Sequence, residues 1–236
     1  MSTTPRPLTI TWDKLPLDYV LPDDPVDNRT QPLLAQALTD ALRSNQRLGD
    51  RSIIATNYAI CATVNGKTVV KAPDWVYVPQ LTAPAEAVER SYTPQLQGDF
   101  PAIVMEFLAE TEGGEYSTKP TYPPGKCFFY EQVLQVPSYV IFDPQTSQLE
   151  LYQRDRSGHY QISLPHHQER YWLPELNLFL GVWSGEAFGR KGSWLRWWDA
   201  EGTLLLWEQE QLAQERQRSA QLLAQLRAAG IEPDGQ

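Results

Sequence analysis

Apolar positions along the chain recur with two different periods. Leu33, Leu34, Ala37, Leu38, Ala41 and Leu42 follow helical spacing and predict a helix over 31–44 with one face turned to a core. Asn28 or Thr30 suits its cap, and Pro32 suits the first turn, where a missing N–H costs little. Short β runs follow at 52–56 and 59–64. Asn65-Gly66 is a strong hairpin signal leading into 67–71, because both residues tolerate positive φ. Pro73-Asp74 then opens a run at 75–78. Residues 79–100 lack periodicity and read as a long excursion with room for one helical turn. The stretch AIVMEFL, 102–108, is nearly continuous apolar sequence interrupted by Glu106, and predicts a core strand.

Downstream, 109–125 is a polar loop rich in glycine and proline. A helix is expected over 126–135, ended by Pro137. Runs at 138–142, 149–153 and 159–163, separated by turn residues, predict an antiparallel meander. Residues 176–183 suit a strand or a short helix, and 194–198 a strand, with Trp183, Trp194, Trp197 and Trp198 covering one side of the core. From 205 to 229 the chain has neither glycine nor proline and predicts a long helix. Leu212, Leu222, Leu223 and Leu226 give it a broken apolar stripe, too irregular for a definite coiled coil but suited to a homodimer contact. Residues 1–30 look irregular, with a short extended piece at 8–12. The expected organisation is one mixed α/β domain over 1–204, then a charged C-terminal helix and short end over 205–236.

Composition narrows the function classes. At 236 residues and 42% hydrophobic, the chain can fill a sizeable core. Its 29 acidic against 20 basic residues leave a net charge of −9, which argues against a non-specific coat on nucleic acid. It does not exclude a nuclease, whose metal site is itself acidic. Two cysteines outside any metal-ligand spacing suit a reducing compartment. The first residues lack the apolar core of a signal peptide, and no apolar run approaches the ~18 residues of a membrane span. A cytoplasmic protein without a membrane partner is the expectation.

The candidate chemistry starts at Asp74 and Glu106. Carboxylates are seldom buried without a partner. If their strands are adjacent, the two acids converge, and like charges there need a cation between them. A hard divalent ion, Mg²⁺ or Mn²⁺, would satisfy them, with the Phe107 backbone carbonyl as a third oxygen. Such an ion can hold a phosphodiester and acidify a bound water. Lys126, opening the helix after the Glu106 strand, is the candidate to orient that water. Tyr130, four residues on, shares its face, and Lys119 and Lys71 are weaker alternatives. Plainer readings stand beside this one: Asp74 as a turn residue, Glu106 as a paired structural acid, Lys126 as a solvated helix start. His166-His167 does not make a zinc pair, since neighbours in a strand point oppositely. Cys127 reads as a core thiol, and Ser117, Thr118 and Ser138 lack a His–acid partner. Arg216, Arg218 and Arg227 are balanced by nearby acids.

At these residues the sequence resembles the Uma2 family. The stretches that carry the resemblance are KAPDWVYVP, PAIVMEFL and GKCFFYEQVLQVPSYVIFDPQTSQLELYQ, in that order, joined by RYWLPELNLFLGVW and WLRWWDAEG. The resemblance implies a PD-(D/E)xK restriction-endonuclease-like fold, a central mixed sheet flanked by helices. It further implies a metal-dependent DNA endonuclease, in which Asp74 and Glu106 bind Mg²⁺ and Lys126 assists the water. The usual superfamily lysine position is Leu108 here. The first helix lacks a glutamate, so Gln31 is the candidate to offer the metal a neutral oxygen. The alternative is a catalytically inactive nuclease-fold protein serving as a DNA- or protein-interaction module.

Overall fold

A computed structural model describes residues 8–14, 29–109 and 114–229. After a two-residue strand β1, Ile10–Thr11, the helical spacing around Leu34 and Leu38 forms α1, Gln31–Ser44. Thr30 occupies its N-cap position. Asn28, the other candidate cap, lies outside the described residues. The strands β2, Ile53–Ala55, β3, Ala59–Val64, β4, Lys67–Lys71, and β5, Trp75–Val78, follow. The turn between β3 and β4 has positive φ at both Asn65 and Gly66, as the hairpin signal requires. The excursion holds one 3₁₀ turn at Ala85–Val88 and a short strand β6, Ser91–Tyr92. Next comes β7, Ile103–Phe107, all five residues of which are buried.

The helix expected over 126–135 is shorter and wider than its pattern suggests. It starts as α2, Lys126–Phe128, and continues as a π turn, Phe129–Val133, in which the Leu134 N–H donates to the Phe129 carbonyl. A π turn carries no sequence signature, so periodicity alone reads it as ordinary helix. The meander forms as β8, Ser138–Asp143, β9, Gln148–Arg154, and β10, Tyr160–Ile162.

A second difference lies at β11, Tyr171–Leu173, β12, Leu178–Ala187, and β13, Arg190–Trp198. The last two make one long hairpin where the pattern gave two separate short runs. Its turn is Phe188-Gly189, both at positive φ. A bulky residue at positive φ is no recognisable turn signal, and the pattern therefore broke there. The Phe188 ring is held between Trp194 and Trp207, each centroid 5.4 Å away. The C-terminal helix is α3, Glu208–Ala228; Leu205 and Trp207 just before it are buried.

These strands build three sheets. The central one has the order β10-β9-β8-β7-β5-β2 and is mixed, with only the β7–β8 pair parallel. A smaller sheet joins β1, β3, β4 and β6, and a third joins β11, β12 and β13. Alternation sorts the central strands onto two faces. Trp75, Tyr77, Ile103, Met105, Phe107, Val140 and Phe142 pack in one cluster with α1 and the β12–β13 hairpin. Val76, Val78, Val104, Tyr139 and Ile141 pack in another with the π turn and β3. The result is a mixed α/β fold with a central sheet flanked by helices.

Candidate functional site

Glu106 shares the period-two face of Val104, the face covered by α2 and its π turn. Asp74 immediately precedes β5, which runs antiparallel to β7 with Trp75 opposite Met105. The two acids therefore stand side by side, and the Phe107 N–H donates to Asp74 Oδ2 at 2.5 Å. Glu106 is fully buried. Its Oε2 lies 3.1 Å from Lys126 Nζ, and its Oε1 accepts from the Tyr130 hydroxyl at 2.7 Å. Lys126 and Tyr130 reach it together because they lie four residues apart, on one face of the helical segment. Gln31, at the start of α1, donates through Nε2 to the Phe107 carbonyl at 2.6 Å.

One member of this cluster was missed. Glu115, in the 109–125 loop, is buried, and its Oε1 lies 3.5 Å from Lys126 Nζ. Its backbone carbonyl accepts from the Tyr139 hydroxyl at 2.9 Å, and its Oε2 has no partner among the described residues. Lys126 is thus held by two buried carboxylates. Nothing local marked Glu115: it sits among glycines and polar residues that read as solvated loop, and only the packing of that loop onto Tyr139 buries it.

Burial pushes the Glu106 carboxyl up to about 8, with Asp74 adding to the rise, while Lys126 and Tyr130 pull it down. Burial works to lower the Lys126 ammonium, but Glu106 and then Glu115 outweigh it and hold it above its ordinary value. Tyr130 is raised well above the usual phenol range by burial and by Glu106, so it remains a donor. The dominant physical fact is a carboxyl group withdrawn from water, with an internal ammonium and a phenol on its two oxygens.

This arrangement corrects the metal expectation. Among the described residues no group of three or more His, Cys, Asp or Glu is placed to hold a metal ion. The donor atoms assigned to the ion are engaged elsewhere. Both Glu106 oxygens take protein donors. The Phe107 carbonyl expected as a third ligand accepts from the Gln31 side-chain amide. Lys126 supplies the positive charge that a divalent ion was invoked to supply. The residues present do not fit Mg²⁺ or Mn²⁺.

Against this geometry, a family model described as "Uma2: Putative restriction endonuclease" matches residues 19–185. The chain belongs to the Uma2 family. A search among curated proteins finds no match. The central mixed sheet and its flanking helices are consistent with the PD-(D/E)xK-like architecture of Uma2. Membership accounts for the fold; it does not make the Uma2 domain of this chain a nuclease. Among the described residues no helix is long and apolar enough to cross a membrane.

A second charged cluster, also illegible in the sequence, fastens α3 to the body. Arg196 on β13 is buried, forks onto Glu210 at 2.6 and 3.0 Å, and lies over the Trp207 ring at 3.5 Å. Beyond this clamp α3 has no buried residue.

Proposed function

We propose that this Uma2-family chain binds rather than cuts: it is a nuclease-fold interaction module that pairs with a second copy of itself through α3. The observation that supports the loss of cutting is the Glu106–Lys126–Tyr130 knot, in which protein groups take both oxygens of the acid that would have to hold a metal. The support for pairing is α3 itself. A helix of 21 residues that buries none of them lacks the tertiary packing that normally stabilises helices. Leu212, Leu222, Leu223 and Leu226 are all exposed along it. Apart from Glu210, which Arg196 holds, its charge is polarised, with Glu208 and Glu215 early and Arg216, Arg218 and Arg227 later. Antiparallel pairing of two copies lays the acidic start of one beside the basic end of the other, which a parallel pair cannot do.

The test has two arms. Supercoiled plasmid incubated with the purified full chain and millimolar Mg²⁺ or Mn²⁺ is expected to stay intact. Metal-dependent nicking that disappears in Asp74→Ala would overturn the non-cutting reading. Light scattering of the wild type is expected to give twice the chain mass, and Leu222→Glu/Leu226→Glu the chain mass. A wild-type monomer at tens of micromolar would remove the pairing.

A further inference from the structure

At the root of α3 lies a cavity of about 240 Å³, several times the ~30 Å³ of one water. Three elements build its wall: Asp40 of α1, Glu186 and Phe188 of the β12–β13 hairpin, and Trp207 and Glu208 where α3 begins. Two of the acids at this place are already engaged. Asp40 Oδ2 accepts from the Glu208 N–H at 3.0 Å, and Glu210 is held by Arg196. Glu186 and Glu208 are exposed and form no ion pair among the described residues. Lys191 stands opposite Glu186 in the hairpin register without closing a salt bridge to it. Two carboxylates beside aromatic side chains suit a long cationic side chain, whose methylenes meet the apolar wall while its charge meets the acids.

The spacing of α3 says which cation arrives there. Glu208 lies four residues before Leu212, on the same face, so the cavity adjoins the inner end of the exposed leucine stripe. In an antiparallel pair, Leu212 of one copy faces the leucines near the far end of the other helix. Setting it against Leu226, Leu223 or Leu222 brings Arg227 of the second copy level with Gln211, Glu208 or Trp207 respectively. The three registers move Arg227 by no more than ~6 Å along the axis, at 1.5 Å per residue, so each of them leaves it level with the cavity. Arg227 is exposed and has no ion pair among the described residues, whereas Arg218 lies 4.0 Å from Glu215 of its own helix. Leucine spacing alone, without reference to charge, thus delivers an unpaired guanidinium to two unpaired carboxylates.

We infer that this cavity is the socket for the C-terminal end of a second copy's α3, with Arg227 of that copy seated between Glu186 and Glu208. Two-fold symmetry makes the contact twice per pair. The inference rests on the antiparallel pairing proposed above. It adds that each helix end is held by the body of the other copy, through α1 and the β12–β13 hairpin, and not by the facing helix alone.

The test is sedimentation equilibrium of the full chain at low salt, giving the dimer dissociation constant of the wild type, Arg227→Gln, Glu186→Gln/Glu208→Gln, and the triple variant. All three positions are exposed, so folding is not at stake. Arg227→Gln is expected to weaken the dimer ~10-fold, the loss of two half-enclosed ion contacts. Glu186→Gln/Glu208→Gln is expected to weaken it by a similar factor. General repulsion between two acidic chains predicts the opposite sign for that variant, a tighter dimer. The triple variant is expected to be no weaker than Arg227→Gln, because all the losses are of one contact. A wild type that stays monomeric removes the pairing and this inference with it. A wild-type dimer that Arg227→Gln leaves unchanged, or that tightens when the two acids are removed, overturns the socket and leaves the pairing standing. Losses that multiply in the triple variant seat Arg227 elsewhere on the other copy and overturn the socket as well.

Discussion

The two faces of the central sheet are built on opposite principles. Beneath α1 and the β12–β13 hairpin the contacts are apolar and aromatic: Trp75 and Trp197 meet at 6.2 Å, and the Trp197 and Trp207 indoles donate to the Leu38 and Ala37 carbonyls of α1. Beneath α2 and the π turn the same strands present a buried carboxylate, with an ammonium and a phenol on its two oxygens. One face gains from excluding water. The other excludes water around a charge and must supply a partner for it, which a buried pair repays only in good geometry. Any metal ion at this position would have to displace the ammonium or the phenol.

The largest effect separates the faces by size. Trp197→Ala, which empties a fully buried site on the apolar face, is expected to destabilise by ~3–5 kcal/mol in urea unfolding. Lys126→Met, on the polar face, is expected to cost ~2–4 kcal/mol at pH 8, because it strands a buried acid. The cost should shrink at pH 5, where Glu106 takes up a proton instead, while the Trp197→Ala deficit stays level. A Lys126→Met loss equal at both pH values would show that the ammonium is only packing.

The pH dependence of the wild type gives the next effect. Glu106 sits near 8 in the fold and near 4.5 when unfolded. Between those values the native state keeps a proton that the unfolded state has lost, so stability falls as pH rises, by up to ~1.4 kcal/mol per unit. The raised Lys126 acts only above its unfolded value, outside this window. Melting curves from pH 5 to 8 should show this slope in the wild type and a flatter profile in Glu106→Gln. Parallel profiles would mean the carboxyl is not perturbed. The smallest effect is at the periphery of the knot: Glu115→Gln keeps an acceptor for Lys126 and removes a carboxylate whose Oε2 has no partner among the described residues, so it should change stability by less than ~1 kcal/mol.

Much of the fold was legible before any coordinates. The stripe from Leu33 to Leu42 gave α1 to the residue, Asn65-Gly66 gave the β3–β4 hairpin, and AIVMEFL gave the buried β7. These are local signals, in which periodicity and turn chemistry act over a few residues. The hairpin at Phe188-Gly189 and the π turn escaped because tertiary packing overrides local preference in both. Phe188 holds positive φ because its ring is held against two tryptophans, and the π turn brings Tyr130 onto Glu106.

The same division runs through the site. By itself the sequence singled out Asp74, Glu106 and Lys126 as candidates to meet, on the condition that the strands of the two acids are neighbours. Only the tertiary structure decided what they do to one another. Whether a carboxylate meets a metal, a water or an ammonium depends on distances of a few ångströms between residues far apart in the chain. Here the folded loop adds Glu115, the start of α1 sends the Gln31 nitrogen to the Phe107 carbonyl, and Lys126 closes on Glu106 at 3.1 Å. No period or motif encodes those distances, because they are set by how the two faces of the sheet are covered.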